Sequence, residues 1–429
     1  MKAIILAALI VLSVACGQVS GRPTAAVTSP SPSPVTTPTA YPSGAPSASP
    51  SAQATTTSKP SPVATPKTSP TLLFAALEAK GTANAWTYNT VVIAGLDGYA
   101  RAKTTFTTMP VPALGCMGAV LPPSAHVAAG KVFFGDSKGV VRSLAIDGTV
   151  AVAATFPMTS TQQMLSFAVS PDGTRLLGTV FTTPSNANLA CGGQSTTATY
   201  TFDAYSASYG GASRLVYHDT WSTSRDVLAL TGWDSVGPIG TYPTVWASQG
   251  GGPGSTLGLY VRVDAATIRP LAQLADPTKC RVWNSVQSGA FVCMGDAAMT
   301  GGGTANQTVT QPVSVRNAGG TELWHSAVTG QNAPFGPYLA PDGQQVLICC
   351  NDLNLADSRE LLIRRGGSQV SLAHGFYATG WLDATTAIGS LSPNPLPEPP
   401  VPFAYVSASA PNTPVSMGFA GLFVGTVRG

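Results

Sequence analysis

The sequence predicts an all-β fold, a β-propeller of seven four-stranded blades. Short runs of Val, Ile, Leu, Phe, Tyr and Thr recur from Thr71 to Gly429, and Gly, Asp-Gly or Asn closes most of them, which is the pattern of strands and tight hairpins. No long stretch with a helical period interrupts these runs. Two kinds of turn alternate along the chain, so successive hairpins group into about seven similar units.

Three segments of different composition make up the 429 residues. Residues 1–15 are apolar after Lys2, residues 16–70 consist mostly of Pro, Ser, Thr and Ala, and residues 71–429 carry the strand pattern. The whole chain is 10% charged with a net charge of +3, so its folded part presents a weakly charged surface. This balance argues against a nucleic-acid partner, which requires a clustered Lys/Arg face.

The N-terminus is typical of an exported bacterial lipoprotein. Lys2 precedes an apolar run that is too short to span a bilayer, which takes roughly 20 helical residues, and the run ends in small residues as in a signal peptide. The segment Leu12–Cys16 (LSVAC) resembles a lipobox, although Ser13 stands where that motif usually has Leu. The resemblance implies a diacylglycerol thioether on Cys16 and anchoring to the outer surface of a bacterial membrane. The alternative is an ordinary signal peptide with an incidental Cys.

Residues 16–70 are predicted to form a disordered tether. Tyr41 is the one aromatic residue there, so the segment offers too little apolar surface to offset its ordering entropy, and its prolines favour polyproline conformations. At about 3 Å per residue a stiff tether of this length would hold the domain roughly 100 Å or more from the membrane. Such a tether suits a protein that crosses a cell-wall or glycan layer.

The two series of turns predict the blades. The first series joins the first two strands of each unit and the second joins the last two, which gives a four-stranded meander with the blade period of roughly 40 to 60 residues. One blade cannot bury both of its faces, so the blades must stack around an axis. The tail AGLFVGTVRG is expected to complete the N-terminal blade and lock the ring. The first series is Ala129-Gly130, Pro171-Asp172-Gly173, Ser235-Val236-Gly237, Gln287-Ser288-Gly289, Pro341-Asp342-Gly343 and Asp383-Ala384; the second is Asp97-Gly98, Asp147-Gly148, Gly210-Gly211, Asp264-Ala265, Gly319-Gly320, Gly366-Gly367 and Pro411-Asn412.

Two of these turns resemble a known repeat. Ser170-Pro171-Asp172-Gly173 and Ala340-Pro341-Asp342-Gly343 resemble the SPDG repeats of TolB-type, WD-repeat-like propellers. The TGW segments Thr231–Trp233 and Thr379–Trp381 fit the strand before such a turn. The resemblance implies a fold and no particular activity, and it gives Pro171, Asp172, Gly173, Pro341, Asp342 and Gly343 structural roles. A two-sheet sandwich and a ring of six or eight blades are the alternatives.

Six cysteines other than Cys16 predict disulfides in an exported chain. Cys280 and Cys293 flank a Ser-Gly turn, which would bring them together across one hairpin. Cys116 and Cys191 fall in predicted loops and are candidates for a bond between neighbouring blades. Cys349-Cys350 would form either a vicinal disulfide or two separate buried thiols, because adjacent strand residues point to opposite faces.

The sequence contains no recognisable catalytic constellation, and it predicts no cofactor. His126, His218, His325 and His374 are isolated from one another. A weak Ca²⁺ candidate is the loop with Asp352, Asn354 and Asp357, for which a plain polar loop is the alternative, and no other metal site is indicated.

These features together favour a monomeric, non-enzymatic binding or scaffolding module for an envelope protein, peptide or glycan. The alternatives are a secreted hydrolase or lyase with its site at the central channel, and a structural wall-associated lipoprotein without a small ligand. Three or more His, Asp, Glu or Arg side chains converging in the channel mouth would favour the enzyme, whereas an apolar or Ser/Thr-lined funnel would favour binding.

Overall fold

A computed structural model of the chain describes residues 72–81, 87–108, 125–182, 199–221, 228–242, 259–268, 270–273, 280–287, 289–301, 307–331, 335–349, 359–392 and 401–428. Every regular element in these ranges is a β-strand, and every strand pairing is antiparallel. No helix within them is long and apolar enough to cross a membrane. The strands form the predicted four-stranded meanders, seven in number.

We letter the strands of each blade A to D from the innermost outward, because the A strands of successive blades contact one another around a common centre. Blade 1 contains β1 (Leu73–Lys80), β2 (Thr87–Gly95) and β3 (Ala100–Thr105) as strands B to D. Blade 2 is β4 (Ala125–Ala128), β5 (Lys131–Gly135), β6 (Val140–Leu144) and β7 (Val150–Thr155), and blade 3 is β8 (Gln163–Val169), β9 (Arg175–Thr182), β10 (Tyr200–Ser208) and β11 (Arg214–Trp221).

The remaining blades follow the same order. Blade 4 is β12 (Ala229–Trp233), β13 (Pro238–Tyr242), β14 (Leu259–Val263) and β15 (Pro270–Gln273). Blade 5 is β16 (Arg281–Gln287), β17 (Ala290–Met294), β19 (Thr308–Arg316) and β20 (Glu322–Gly330), with the short β18 (Ala298–Thr300) added beside β19. Blade 6 is β21 (Phe335–Leu339), β22 (Gln345–Cys349), β23 (Leu361–Arg364) and β24 (Gln369–Ser371), and blade 7 is β25 (Phe376–Trp381), β26 (Thr386–Leu391), β27 (Pro402–Ser407) and the first half of β28 (Ala410–Val427).

Strand β28 closes the ring. Its first half pairs with β27, for example Tyr405 with Val415, and is strand D of blade 7. Its second half pairs with β1, from Glu78 opposite Gly421 to Leu73 opposite Val427, and is strand A of blade 1. The C-terminal tail therefore supplies the missing strand of the N-terminal blade, as the sequence predicts.

Side chains that alternate along the B strands fill the spaces between blades. In β5, Val132 and Phe134 pack toward blade 1 while Phe133 packs toward blade 3. A strand that is buried on both faces needs a continuous apolar run, which explains sequences such as VFF and VLI. Each interface between neighbouring blades has its own apolar cluster, with representative residues Val91 and Phe134 (blades 1 and 2), Phe156 and Phe167 (2 and 3), Phe202 and Leu230 (3 and 4), Ile239 and Phe291 (4 and 5), Val315 and Leu339 (5 and 6), Leu362 and Phe376 (6 and 7), and Leu382 and Phe74 (7 and 1).

The meanders give the ring two different faces. All A–B and C–D turns lie on one face, which we call the tight-turn face, and contacts join the turns of neighbouring blades there: Ala129 N donates to Pro171 O at 3.2 Å, and Gln345 Nε2 donates to Ala384 O at 2.7 Å. The B–C and D–A connections lie on the opposite, long-connection face. Most residues of the longer ones, such as 183–199 and 243–258, fall outside the described ranges.

One turn differs from its prediction. The last hairpin turns at Ala408-Ser409, and Pro411-Asn412 lies inside β28. Because this half of β28 is the outer strand of blade 7, Pro411 occupies an edge strand, where a residue without an N–H is tolerated.

Candidate ligand-binding clefts

The A–B turn of blade 3 frames the candidate site. Ser170 Oγ donates to Asp172 Oδ1 at 2.5 Å, and the Thr174 N–H and hydroxyl donate to Asp172 Oδ1 and Oδ2 at 3.1 and 2.9 Å. These hydrogen bonds, with that from Ser170 the largest cause, lower the pKa of Asp172 to about 2. Gly173 has a φ of +71°, and a Cβ there would lie 2.9 Å from the Cβ of Ala129 in blade 2. Asp172 and Gly173 therefore shape a rigid turn.

The corresponding turn of blade 6 is built alike. Asp342 Oδ1 accepts from Gln344 N at 3.0 Å, and Gly343 has a φ of +71°. Trp324 of blade 5 donates through Nε1 to Gly343 O at 2.8 Å and is almost fully buried. This tryptophan belongs to the packing between blades and does not line the mouth of the channel.

A first cleft of about 360 Å³ lies between blades 2 and 3 on the tight-turn face, and we call it the lysine cleft. Lys131 Nζ stands 5.0 Å from the ring centroid of Tyr209, within range of a cation–π interaction. The hydroxyl of Tyr209 is 2.8 Å from Ser143 Oγ, which fixes the ring in place. Asp172 and Thr174 form the opposite wall.

A second cleft of about 330 Å³ lies between blades 3 and 4, and we call it the arginine cleft. Arg175 pairs with Ser208, and Ser206 pairs with Arg214, so these four side chains share one face of the blade 3 sheet. Trp233 of blade 4 closes the cleft, with the Arg175 guanidinium 4.9 Å from its ring centroid. Ser208 lines both clefts, so they adjoin across the turns of blade 3.

The A strands that surround the channel carry few ionisable groups. Within their described residues there is no Asp or Glu, and His126 is the one histidine. Its ring packs edge-on against Phe167 with centroids 4.8 Å apart, and burial lowers the pKa of His126 to about 4. His126 is therefore a neutral packing residue between blades 2 and 3.

A buried carboxyl group lies at the long-connection end of the interface between blades 6 and 7. Glu360, just before β23, is 1% exposed; its Oε2 accepts from Ala378 N, and its Oε1 has no hydrogen-bond partner among the described residues. Burial raises the pKa of Glu360 to about 8, so the group is mostly protonated at pH 7. Burial together with the charge of Glu360 raises the pKa of Tyr338 to about 12, and the buried hydroxyl of Tyr377 likewise has no partner in the described part of the chain. No motif in the sequence indicates this group.

The predicted cysteine pair is brought together. Cys280 and Cys293 form a disulfide across β16 and β17, with Cα atoms 5.0 Å apart. Cys349 is also disulfide-bonded, and Cys350 lies outside the described residues. Cys16, Cys116, Cys191 and the Ca²⁺ candidates Asp352, Asn354 and Asp357 lie outside the described residues. Among those that are described, no three His, Cys, Asp or Glu side chains are grouped to hold a metal ion.

The strand order, the shared strand β28 and the seven apolar interfaces define this chain as a seven-bladed β-propeller. Several solved structures are similar to it. They include an oligogalacturonate lyase in complex with manganese (9% identity, 78% of this chain and 90% of that one, TM-score 0.45). A TolB protein of Agrobacterium tumefaciens (14%, 58% and 79%, 0.30) and the β-propeller domain of the trilobed protease of Pyrococcus furiosus (8%, 69% and 82%, 0.37) are also similar.

At identities this low the similarity concerns the fold alone. No protein-family model and no curated protein matches the sequence.

Proposed function

We propose that this protein is an exported lipoprotein, anchored through Cys16 to the outer surface of a bacterial membrane, whose propeller binds an envelope protein, peptide or glycan as a monomer. The observation that carries the proposal is the pair of adjoining polar clefts on the tight-turn face. The clefts are open and lined by exposed polar side chains, as suits a binding surface for an extended partner.

The walls of both clefts are rigid before any ligand arrives. Phe133 and Leu176, which stand behind them, are fully buried between blades. The turns beside them are fixed by hydrogen bonds, such as that from Arg175 N to Ser170 Oγ at 3.0 Å. A preformed site avoids the entropy cost of ordering loops on binding, so even an open cleft can bind usefully.

The chemistry of the clefts favours binding over catalysis. Asp172 is the one carboxylate that lines them, and its two oxygens already accept hydrogen bonds. With its pKa lowered to about 2, Asp172 is a poor general base at neutral pH, where an effective base has a pKa near 7. The described A strands carry few ionisable groups, which favours binding over catalysis in the channel as well.

The Cys280–Cys293 disulfide supports an extracytoplasmic location, because disulfides are stable in oxidising compartments and rare in the cytosol.

The anchor is tested by Cys16→Ala in the full chain, expressed in a bacterium that processes lipoproteins. We expect the variant to appear in the medium while the parent chain sediments with membranes. Equal retention of the two chains on membranes would contradict lipidation.

The binding role is tested with the released Cys16→Ala chain and envelopes of the producing bacterium. We expect saturable co-sedimentation without chemical change of the envelope. Release of small products from envelopes would instead support a hydrolase or lyase, and the absence of saturable binding would contradict the proposal.

A further inference from the structure

We propose that the arginine cleft binds an anionic polysaccharide, a glycan with carboxylate or phosphate groups. This inference rests on the proposed binding function and names its ligand class.

Three other arginines of the described chain are paired with nearby carboxylates. Arg101 pairs with Asp97 at 2.5 Å, Arg142 pairs with Asp136, and Arg262 pairs with Asp234 at 2.5 Å. The guanidinium groups of Arg175 and Arg214, by contrast, form no salt bridge or hydrogen bond with another residue that the structure describes. In a chain that is only 10% charged, two unpaired guanidinium groups in one cleft are a distinctive feature.

The carboxylates nearest to the cleft are already engaged. Asp234 is held by Arg262, and Asp264 accepts from Ala266 N and Thr267 N at 2.9 and 2.7 Å. Asp172 is saturated by Ser170 and Thr174, and the charge of Arg175 is the smallest of the causes that lower its pKa. The oxygens of these carboxylates are therefore occupied by other donors, and the N–H groups of the two guanidiniums remain available to bind an anion.

Trp233 orients one of the two charges. Its ring lies under the Arg175 guanidinium and packs on the apolar cluster between blades 3 and 4. A guanidinium group that stacks on an aromatic face keeps its N–H groups free at its edge, where they match the two oxygens of a carboxylate or phosphate. Less side-chain entropy is then lost when the anion binds.

Two free hydroxyls lie between the arginines. Ser206 and Ser208 project from the same face of the sheet, and their hydroxyls make no hydrogen bond within the described residues. They can donate to and accept from sugar hydroxyls. Ser208 continues into the lysine cleft, so the polar surface extends from Arg214 to Lys131.

The shape and chemistry of this surface favour a glycan over an acidic peptide. Peptides bind most tightly when aromatic or aliphatic anchor side chains enter an apolar pocket. The arginine cleft offers a shallow trough in which alanines separate the charged and hydroxyl groups, among them Ala207 and Ala212. A polymer that repeats hydroxyls and negative charges matches such a trough along its length.

The test uses the full chain with Cys16→Ala and isothermal titration calorimetry at about 50 mM salt, where screening is weak. The probes are a hexamer of uronic acid and an oligomer of glycerol phosphate, with a neutral cellulose hexamer and polyglutamate as comparisons. We expect one or both anionic probes to bind, the neutral hexamer not to bind, and polyglutamate to bind more weakly.

The variants are Arg175→Gln and Arg214→Gln, with Arg365→Gln as the matched control, an exposed turn arginine of blade 6 on the same face. Each cleft substitution removes charge-assisted hydrogen bonds and should weaken anion binding roughly 10-fold or more. The control should bind like the parent. Unchanged thermal unfolding will show that all three variants are folded, as expected for exposed side chains.

Anion binding that is equal in the parent and both cleft variants would overturn the inference, and so would tighter binding of polyglutamate than of either anionic probe. Saturable binding to envelopes without binding of either anionic probe would overturn the ligand class while leaving the proposed binding function intact. If neither saturable binding to envelopes nor binding of the anionic probes is observed, both proposals are contradicted.

Discussion

On the tight-turn face Asp172 is exposed and accepts hydrogen bonds from Ser170 and Thr174, whereas at the long-connection end Glu360 is buried and has one oxygen without a partner in the described ranges. The pKa of the first carboxyl is lowered to about 2, and burial raises the pKa of the second to about 8. One end of the ring thus holds an exposed, ionised carboxyl group, and the other end holds a buried carboxyl group that is mostly protonated at pH 7.

The largest expected effect is the loss of stability when a buried aromatic side chain is removed. It tests whether the core is equally well packed beneath both faces. Phe156 leaves β7 toward the long-connection face and Phe133 stands behind the lysine cleft, and both are fully buried between blades 2 and 3. Replacing either by Ala should lower the free energy of unfolding by roughly 3–5 kcal/mol. Urea denaturation of the two variants checks this, and a much smaller loss for Phe156→Ala would show a softer core on that side.

Glu360→Gln should change how stability depends on pH. The folded pKa of about 8 lies above the unfolded value of about 4.3, so between these values the folded state binds the extra proton. The free energy of unfolding of the parent should therefore fall as pH rises through this window, by roughly 2–3 kcal/mol from this group between pH 5 and pH 7.

The glutamine variant resembles the protonated form and should lack that slope. Denaturant unfolding at pH 5, 6, 7 and 8 measures the difference between the two chains. Parallel pH profiles for parent and variant would contradict the assignment of a neutral, buried Glu360.

A pair of glycine substitutions measures the contact between turns on the tight-turn face. Gly173 and Gly343 both have a φ of +71°, so Ala at either position should cost about 1–2 kcal/mol in backbone strain. Gly343 has open space around it, whereas a Cβ at Gly173 meets Ala129 at 2.9 Å. Gly173→Ala should therefore be the more destabilising in thermal unfolding, and equal losses would show that the turns of blades 2 and 3 do not touch.

Asp172→Asn is expected to have the smallest effect. The folded pKa is depressed, so the stabilising contribution of this carboxylate is present above its unfolded pKa of about 3.9 and is lost as pH falls toward about 2. The variant should be slightly less stable than the parent at pH 7 and indistinguishable from it near pH 2. A difference that persists in acid would assign the effect to packing rather than to charge.

The same contrast explains what the sequence could predict. The tight turns carry their own chemistry, since Gly173 supplies the positive φ and Asp172 accepts from the backbone two residues ahead, so the blades could be counted from them. The turn at Ala408-Ser409 has no such signature, so the sequence predicts it three residues too late, at Pro411-Asn412. The pairing of Cys280 with Cys293 followed from a local hairpin.

The residues of the candidate site could not be predicted from the sequence in the same way. Arg175, Arg214 and Trp233 come from two blades, and only strand register and blade packing bring them to one cleft. Glu360 precedes an ordinary apolar strand, and its burial results from contact with blade 7. Spacing along the chain holds no signal for either arrangement, because both depend on long-range packing.

Amide hydrogen exchange of the full chain tests ring closure by β28 most directly. If Gly421–Val427 is strand A of blade 1, its amides that bond to β1 should be as strongly protected as those of Leu73–Leu77, and both should exchange only through global unfolding. Rapid exchange of residues 421–427 alongside a protected β27 would show that the C-terminal strand does not complete the ring.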